Sequence, residues 1–548
     1  MSIAQQPVLV IDKLHVALPP GSDRAYAVED ISLSIHAGKT LCVVGESGSG
    51  KSVLATAVMG LLARELQPGP GSIILQGESL LGASAYRLRA LRGQAMGMVF
   101  QEPMTALNPV MRCGDQIDEL LRQHTDWGAK RRFEAVLNIV RRVKLPEPER
   151  MMRSYPHQLS GGQRQRIVIA MAVILQPALL ICDEPTTALD VTTQKEILKL
   201  IEELQADLSG GHRCAVLFIT HDMGVVAEIA DDVLVMHQGR AVEYGTRDAV
   251  LQTPQADYTK MLLAAVPSMT PPPARPAPQG TPLLRGQDVS KNYSARDWLG
   301  RSRLTHALQA ASVAVHAGET VGIVGESGSG KSTLARCLIR LIDPTGGQVL
   351  WRQSRQSEDS SLLDVAKFSE GQLRPLRSQV QVVFQDPNRS LNPRRKVGDS
   401  IIEGAINFGA SSADAMTLAV SLMDKVRLPA EGLQRYPSQF SGGQRQRIAI
   451  ARALACRPRV LVADEAVSAL DVSVQAQILN LLREIQAELG LGLLFITHDL
   501  RVAAQLCDRV IVMHQGQIIE EGLTAELYAH PQHDYTRRLL AAAPGGIF

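Results

Sequence analysis

GESGSGKS stands at Gly45–Ser52 and again at Gly325–Ser332. Each copy follows an apolar run (TLCVV, TVGIV) suited to a buried parallel strand and precedes a segment that continues as a helix. Glycines let successive backbone N–H groups wrap around phosphate oxygens, and a helix N-terminus adds favourable partial charge. The cradle comprises Gly45, Glu46, Ser47, Gly48, Ser49 and Gly50, with Gly325, Glu326, Ser327, Gly328, Ser329 and Gly330 as its second copy. Lys51 and Lys331 are positioned to meet β and γ phosphates, and the hydroxyls of Ser52 and Ser332 to meet Mg²⁺.

Four apolar residues run into Asp183-Glu184 and into Asp464-Glu465, which puts paired carboxylates at the C-terminal edge of a buried strand, where open α/β sheets bind ligands. The aspartate suits a hydrated Mg²⁺, and the glutamate suits orienting or deprotonating an attacking water. His221 and His498 each stand next to last in a repeated LFITHD and are expected to contact the γ-phosphate as hydrogen-bonding switches. Ser160, Gly161, Gly162 and Gln163 form an SGGQ before a strong helical segment, as do Ser441, Gly442, Gly443 and Gln444. The plain reading is a helix cap. The functional one is a second phosphate cradle, most useful if it serves the neighbouring domain's nucleotide.

These motifs recur in one order. FQEPMTALNP (100–109) answers to FQDPNRSLNP (384–393), and YPHQLSGGQRQRI (155–167) to YPSQFSGGQRQRI (436–448). LLICDEPTTALD (179–190) answers to VLVADEAVSALD (460–471), and DYTKMLLAAVP (257–267) to DYTRRLLAAAP (534–544). So long a period means duplicated domains. Residues 1–266 and 283–548 are expected to be the two domains. The Pro-dense 267–282 should be an extended, semi-stiff linker.

The elements that must position these groups are bounded by composition. At 548 residues the chain exceeds one ordinary core. A formal charge of +2 argues against a surface built mainly to hold nucleic acid. Seven scattered cysteines form no C-x-x-C pair, which suits small buried hydrophobes in a reducing cytosol. The segment MSIAQQPVLVIDKL has no basic start followed by a long apolar run, so no leader is expected. Ile167–Cys182 is the most membrane-like run, but Gln176 and Pro177 interrupt it. It is expected to be a buried helix turning into a buried strand, leaving a soluble protein whose membrane role comes through partners. The polar stretch from Trp351 to Asp364 is expected to be a surface loop.

This residue set resembles the ABC ATPases over nearly the whole chain, and the FQEP and FQDP segments, DEAVSALDVSVQAQIL and the terminal YT motifs resemble the peptide-importer branch (oligopeptide, dipeptide or glutathione). The resemblance implies two tandem P-loop α/β domains, each with a RecA-like core, an antiparallel β subdomain and a helical subdomain from FQEP to SGGQ. It implies head-to-tail pairing. Lys51, Ser52, Gln101, Asp183, Glu184 and His221 would then share one ATP with Ser441–Gln444. Lys331, Ser332, Gln385, Asp464, Glu465 and His498 would share the other with Ser160–Gln163, and Asp190 and Asp471 would link the sites. Glu184, His221, Glu465 and His498 take the catalytic roles. Ser52, Gln101 and Asp183, with Ser332, Gln385 and Asp464, take Mg²⁺.

In the family an aromatic stacks on adenine. Tyr293 stands at that place in the second half and Leu18 in the first, with Tyr26 as a substitute. The implied cofactors are ATP and Mg²⁺. Neither C-terminal extension holds cysteine, so no iron–sulfur cluster is expected. The implied partners are two integral membrane permease subunits, with a coupling helix received after Gln101 and Gln385, and an extracytoplasmic solute-binding protein; no nucleic acid is expected. The implied place is the cytoplasmic face of the inner membrane. A nickel or metal-chelate importer ATPase of the same branch and a soluble tandem ABC translation factor stay open as alternatives, the latter disfavoured by the short Pro-rich linker. A DNA-repair ATPase would need cysteine pairs or coiled-coil insertions that this sequence lacks.

Overall fold

Apolar β-branched runs bounded by polar turns become the central strands. A computed structural model of the chain describes residues 6–187, 189–206, 213–275, 280–296, 302–352, 361–468 and 470–543. In the first half six strands run in the order Arg240–Thr246, Asp232–His237, Thr40–Val44, Ala215–Ile219, Leu179–Asp183 and Met96–Val99. All neighbours are parallel except the first pair. The second half repeats this order with Gln517–Leu523, Arg509–His514, Thr320–Val324, Gly492–Ile496, Val460–Asp464 and Val380–Val383.

Because strand side chains alternate, each central strand feeds two cores. Cys42 and Val44 join the cluster of the helical side, which contains Ile117, Val140 and Ile167. Leu41 and Val43 join Leu54, Ile11 and Ile73 on the other face. That second face is covered by an antiparallel sheet, Tyr26–Ile35, Leu9–Ala17, Ser72–Leu75 and Glu78–Ser79, and by the helix Lys51–Val58. The second half covers its sheet with Ser302–Val315, Leu284–Arg296, Gly346–Arg352 and Leu362–Asp364. Each phosphate loop is thereby wedged between a buried parallel strand and a helix packed in the core.

The run 167–182 folds as helix Gly161–Val173 followed by strand Leu179–Asp183. No helix among the described residues is long and apolar enough to cross a membrane. Six cysteines are buried and Cys456 is half-buried. The linker residues Pro267–Arg275 form neither helix nor strand. Gln505 pins them by donating to the carbonyls of Ser268 and Thr270 at 2.9 and 2.8 Å, and Arg275 lies 3.5 Å from Asp508. Linker residues 276–279 lie outside the described residues.

One expectation is corrected. Trp351 lies in the strand Gly346–Arg352 and is 3% exposed, with its indole N–H donating to the Leu338 carbonyl at 2.9 Å, and Leu362–Asp364 pairs back onto that strand. Trp351 at one end of the polar stretch, with Leu362 and Leu363 at the other, brings both ends into the sheet. Residues 353–360, the rest of that stretch, lie outside the described residues.

Candidate active site

Gly45 has φ of 151° and Gly325 of 149°, and a Cβ at either would run into the carbonyl of Met236 or Met513. Only glycine lets the loop turn this closely over the neighbouring strand. The loop then delivers Lys51, 5% exposed, whose ammonium donates to the carbonyls of Gly45 and Glu46 at 2.7 and 2.9 Å. Lys331 does the same with Gly325 and Glu326 at 2.7 and 2.8 Å. Burial lowers the pKa of both lysines, partly offset by the surrounding carboxylates. A desolvated ammonium held by neutral oxygens, the two carbonyls and for Lys51 also the Ser49 hydroxyl at 3.5 Å, is primed for an anionic ligand.

Ser52 donates to Asp183 at 3.1 Å and Ser332 to Asp464 at 2.8 Å. Burial pushes the Asp183 carboxyl up to about 6 against the Ser52 hydrogen bond, and it raises Asp464 likewise. Glu184 and Glu465 sit one residue on at φ of 47° and 49°, left-handed conformations uncommon for glutamate. Such outliers cluster where a side chain must be aimed. Glu184 accepts from Gln101 at 2.9 Å and Thr187 at 3.0 Å, and His221 Nδ1 lies 3.4 Å away. Burial works against its charge, but His221, Thr187 and Lys51 outweigh it and hold the carboxyl at about 2. Glu465 is likewise held low, with Gln385 donating at 2.8 Å and His498 at 3.5 Å. Both histidines are raised: burial opposes their charge, and the glutamates favour it more strongly. At neutral pH each glutamate is an ionised base beside a histidine.

The two SGGQ segments cap their helices. The Ser160 hydroxyl accepts from the Gln163 N–H at 3.3 Å while the Gln163 side chain accepts from the Ser160 N–H at 3.0 Å, and Ser441 and Gln444 repeat the pair. The contacts between halves show what lies beside these caps. Asp471 accepts from the Ser47 N–H and hydroxyl at 2.8 and 3.1 Å, and Asp190 from the Ser327 N–H at 3.4 Å. Asp471 caps the helix Val472–Leu489, whose first turn presents Val474 against Gly443 closely enough to exclude a Cβ there. Thr193 lies against Gly162 in the other half. The second half's SGGQ is therefore one helical turn from a residue bonded to the first half's phosphate loop, and the reverse holds for the other pair.

Tyr293 is 42% exposed, with the Lys291 ammonium 5.2 Å from its ring centre. Leu18 occupies the same ladder place: Leu18 N–H donates to Ala25 and Tyr293 pairs with Thr305. Tyr26 packs edge-on against His15 with ring centres 5.4 Å apart.

Several residues around the sites escaped sequence reasoning. Tyr258 and Tyr535 accept from the N–H of Glu46 and Glu326 at 3.3 and 3.2 Å, which ties each terminal YT segment to its own phosphate loop. The repeated DYT was a signal without an assigned role. Ser473 donates to Glu46 across the halves. Arg336 lies 3.7 Å from Asp464, whereas the first half has Thr56 at that place. Arg501 bonds Asp222 of the opposite half at 2.9 Å, and its signal was the divergence of the halves just after the shared THD.

Asp183 makes a pH dependence that can be measured. Its folded-state pKa is raised, so ionisation costs the nucleotide-free fold stability that is absent below about pH 4 and fully felt above about pH 6. Two units correspond to roughly 2–3 kcal/mol. In denaturant titrations without nucleotide, Asp183→Asn is expected to be the more stable protein at pH 7.5 by about this amount, with the two curves converging below pH 4. A constant difference across that range would show that burial of Asp183 is not its cause.

A family model for the ABC transporter matches residues 28–187 and 308–468. A second, for the C-terminal region of oligopeptide/dipeptide transporters, matches residues 242–299. The chain is 45% identical over 573 residues to the glutathione import ATP-binding protein GsiA of Escherichia coli (strain K12), covering 98% of this chain and 89% of that protein. It is 44% identical over 575 residues to the protein of the same name from Shigella dysenteriae serotype 1, with the same coverage. A dimeric structure of an ATP-binding cassette in a post-hydrolysis state with ADP and Pi is 28% identical, covering 44% of this chain and 98% of that one at a TM-score of 0.39. The chain belongs to the ABC transporter family, as an ATP-hydrolysing protein of the peptide-importer branch with two cassettes fused in one polypeptide.

Proposed function

We propose that this chain powers the import of glutathione or similarly short peptides, with residues 1–266 and 283–548 as its two working units. The observation that carries the reading is the pair of crossed contacts, Asp471 on the Ser47 loop and Asp190 on the Ser327 loop, each made by the residue before the helix that packs on its own half's SGGQ. Each ATP would lie between Lys51 or Lys331 and the opposite SGGQ. The relatives named for glutathione import favour the cargo class.

Within each site Glu184 or Glu465 accepts the proton of the attacking water, and His221 or His498 keeps that carboxylate aimed while facing the γ-phosphate. Lys51 and Lys331 leave their carbonyl partners for the phosphates. The donor set fits Mg²⁺: a buried aspartate with one hydroxyl partner wants a cation, and no cluster of three or more acidic, His or Cys ligands exists among the described residues. Mg²⁺ takes few protein ligands beside phosphates and waters. Ser52 and Asp183, Ser332 and Asp464 would hold it, with Gln101 and Gln385 adjacent, and it would neutralise charge on the phosphates. Tyr293 would stack on adenine at the second site, whereas Leu18 offers the first only apolar contact.

The γ-phosphate touches both halves, so ATP favours their closed pairing and hydrolysis releases it. Partners would be two permease subunits at the cytoplasmic face of the inner membrane, reached through the segments after Gln101 and Gln385, and a solute-binding protein. Reconstituted with its permeases and binding protein, the chain is expected to hydrolyse ATP faster when the binding protein carries glutathione or a dipeptide. Stimulation by a nickel chelate and by neither peptide would overturn the cargo assignment.

A further inference from the structure

Just after each histidine the halves part ways: Asp222 is followed by Met223-Gly224, Asp499 by Leu500-Arg501. Both aspartates cap the short helix that follows, accepting at 2.9 Å from the N–H of Gly224 and of Arg501. The Arg501 side chain is 11% exposed and spans the boundary between the halves. Its two terminal nitrogens donate to the two oxygens of Asp222 at 2.9 and 3.0 Å, a bidentate pair. The same guanidinium donates to Asp499 at 3.2 and 3.0 Å. One cation thus serves two carboxylates on opposite halves, each covalently adjacent to a site histidine. A cavity of about 80 Å³ opens beside it, lined by His221 and His498 together with Thr187 and Ser468 from the loops that carry Glu184 and Glu465. Gly224 has no side chain with which to make a reciprocal bridge.

We propose that Arg501 is a positioning residue that ties the two histidine loops into one ionic bridge, so that closure around one ATP is transmitted to the other site. The proposal rests on the reading of His221 and His498 as ATP-site residues. A planar guanidinium can satisfy two carboxylates at once with fixed geometry, which an ammonium cannot. Without it, Asp222 and Asp499 face each other with only the neighbouring His221 and His498 to offset their charge, which opposes meeting of the halves and leaves each half's own core untouched. The loss therefore falls on the ATP needed to close the pair and not on the chemical step.

In the full-length chain assembled with its permeases, Arg501→Met is expected to raise the ATP concentration for half-maximal hydrolysis about tenfold and to bring the Hill coefficient to about 1, with the maximal rate changed less than about threefold. Two second variants test the bridge itself. Gly224→Arg with Arg501→Gly offers the guanidinium from the opposite half, and Asp222→Asn with Arg501→Met removes the repulsion; either is expected to recover the ATP dependence. The proposal is overturned by an unchanged ATP dependence in Arg501→Met, or by a parallel loss of ATP dependence and thermal stability that neither second variant recovers. Glu184→Gln with Glu465→Gln, measured alongside, separates the two readings. Normal hydrolysis by that variant would defeat the site assignment, whereas failure of the bridge would leave it inactive as expected.

Discussion

Replacing Glu184 and Glu465 together by Gln is expected to lower ATP hydrolysis by the assembled transporter by about 10²–10⁴-fold, the usual contribution of a positioned general base, while ATP still binds. The expectation follows from the ionisation state of the site. Glu184 is held at about 2 despite its burial, because His221, Thr187 and Lys51 stabilise the carboxylate. An amide keeps the shape and the hydrogen bond from Gln101 but has no basic lone pair to take a proton. Single variants ask whether both sites turn over. Since the second site repeats the same bonds from Gln385 and His498, Glu184→Gln and Glu465→Gln are each expected to depress the rate. A single variant with unchanged rate would mark its own half as catalytically idle.

The second large effect concerns which residues share a nucleotide. In a Glu184→Gln, Glu465→Gln background, ATP is expected to be trapped at two molecules per chain. Adding Lys51→Ala and Gly442→Asp, both in the same composite site, is expected to leave one. Adding Lys51→Ala and Gly161→Asp, which damage different sites, is expected to leave none. The logic is the chain of contacts from Ser47 to Asp471 and from the helix that Asp471 caps to Gly443. A new carboxylate at either SGGQ glycine would face phosphate at the N-terminus of a helix and repel it. Nucleotide counting after rapid filtration decides the matter: equal trapping by the two combinations would mean that each half binds ATP alone.

Much of this site could be read in order along the chain. Phosphate loops, acidic strand ends and SGGQ caps are local devices, in which a few neighbouring residues fix both backbone and chemistry. Gly45 is glycine because a Cβ would meet the Met236 carbonyl, and Ser160 and Gln163 satisfy each other within one turn. The stretch beginning at Trp351 was misjudged because strand pairing is not local: polar residues next to Trp351 hid an indole that is buried against Leu338. Leu18 and Tyr293 were aligned correctly from sequence, since both sit at the same place in an antiparallel ladder.

The sequence by itself determined that there are two phosphate-binding modules, which carboxylate and histidine each contains, and that the modules are copies, because covalent neighbours set those features. Tertiary structure alone decided which residues distant in the chain meet, whether the copies share the contact or not. Ser52 reaches Asp183 across 131 residues, Tyr258 reaches the Glu46 N–H across 212, and Arg501 reaches Asp222 across 279. No local pattern encodes such pairings, for they exist only once two sheets have packed their cores and the halves have met. That meeting also sets an arginine found on one side only between the two aspartates that follow the histidines.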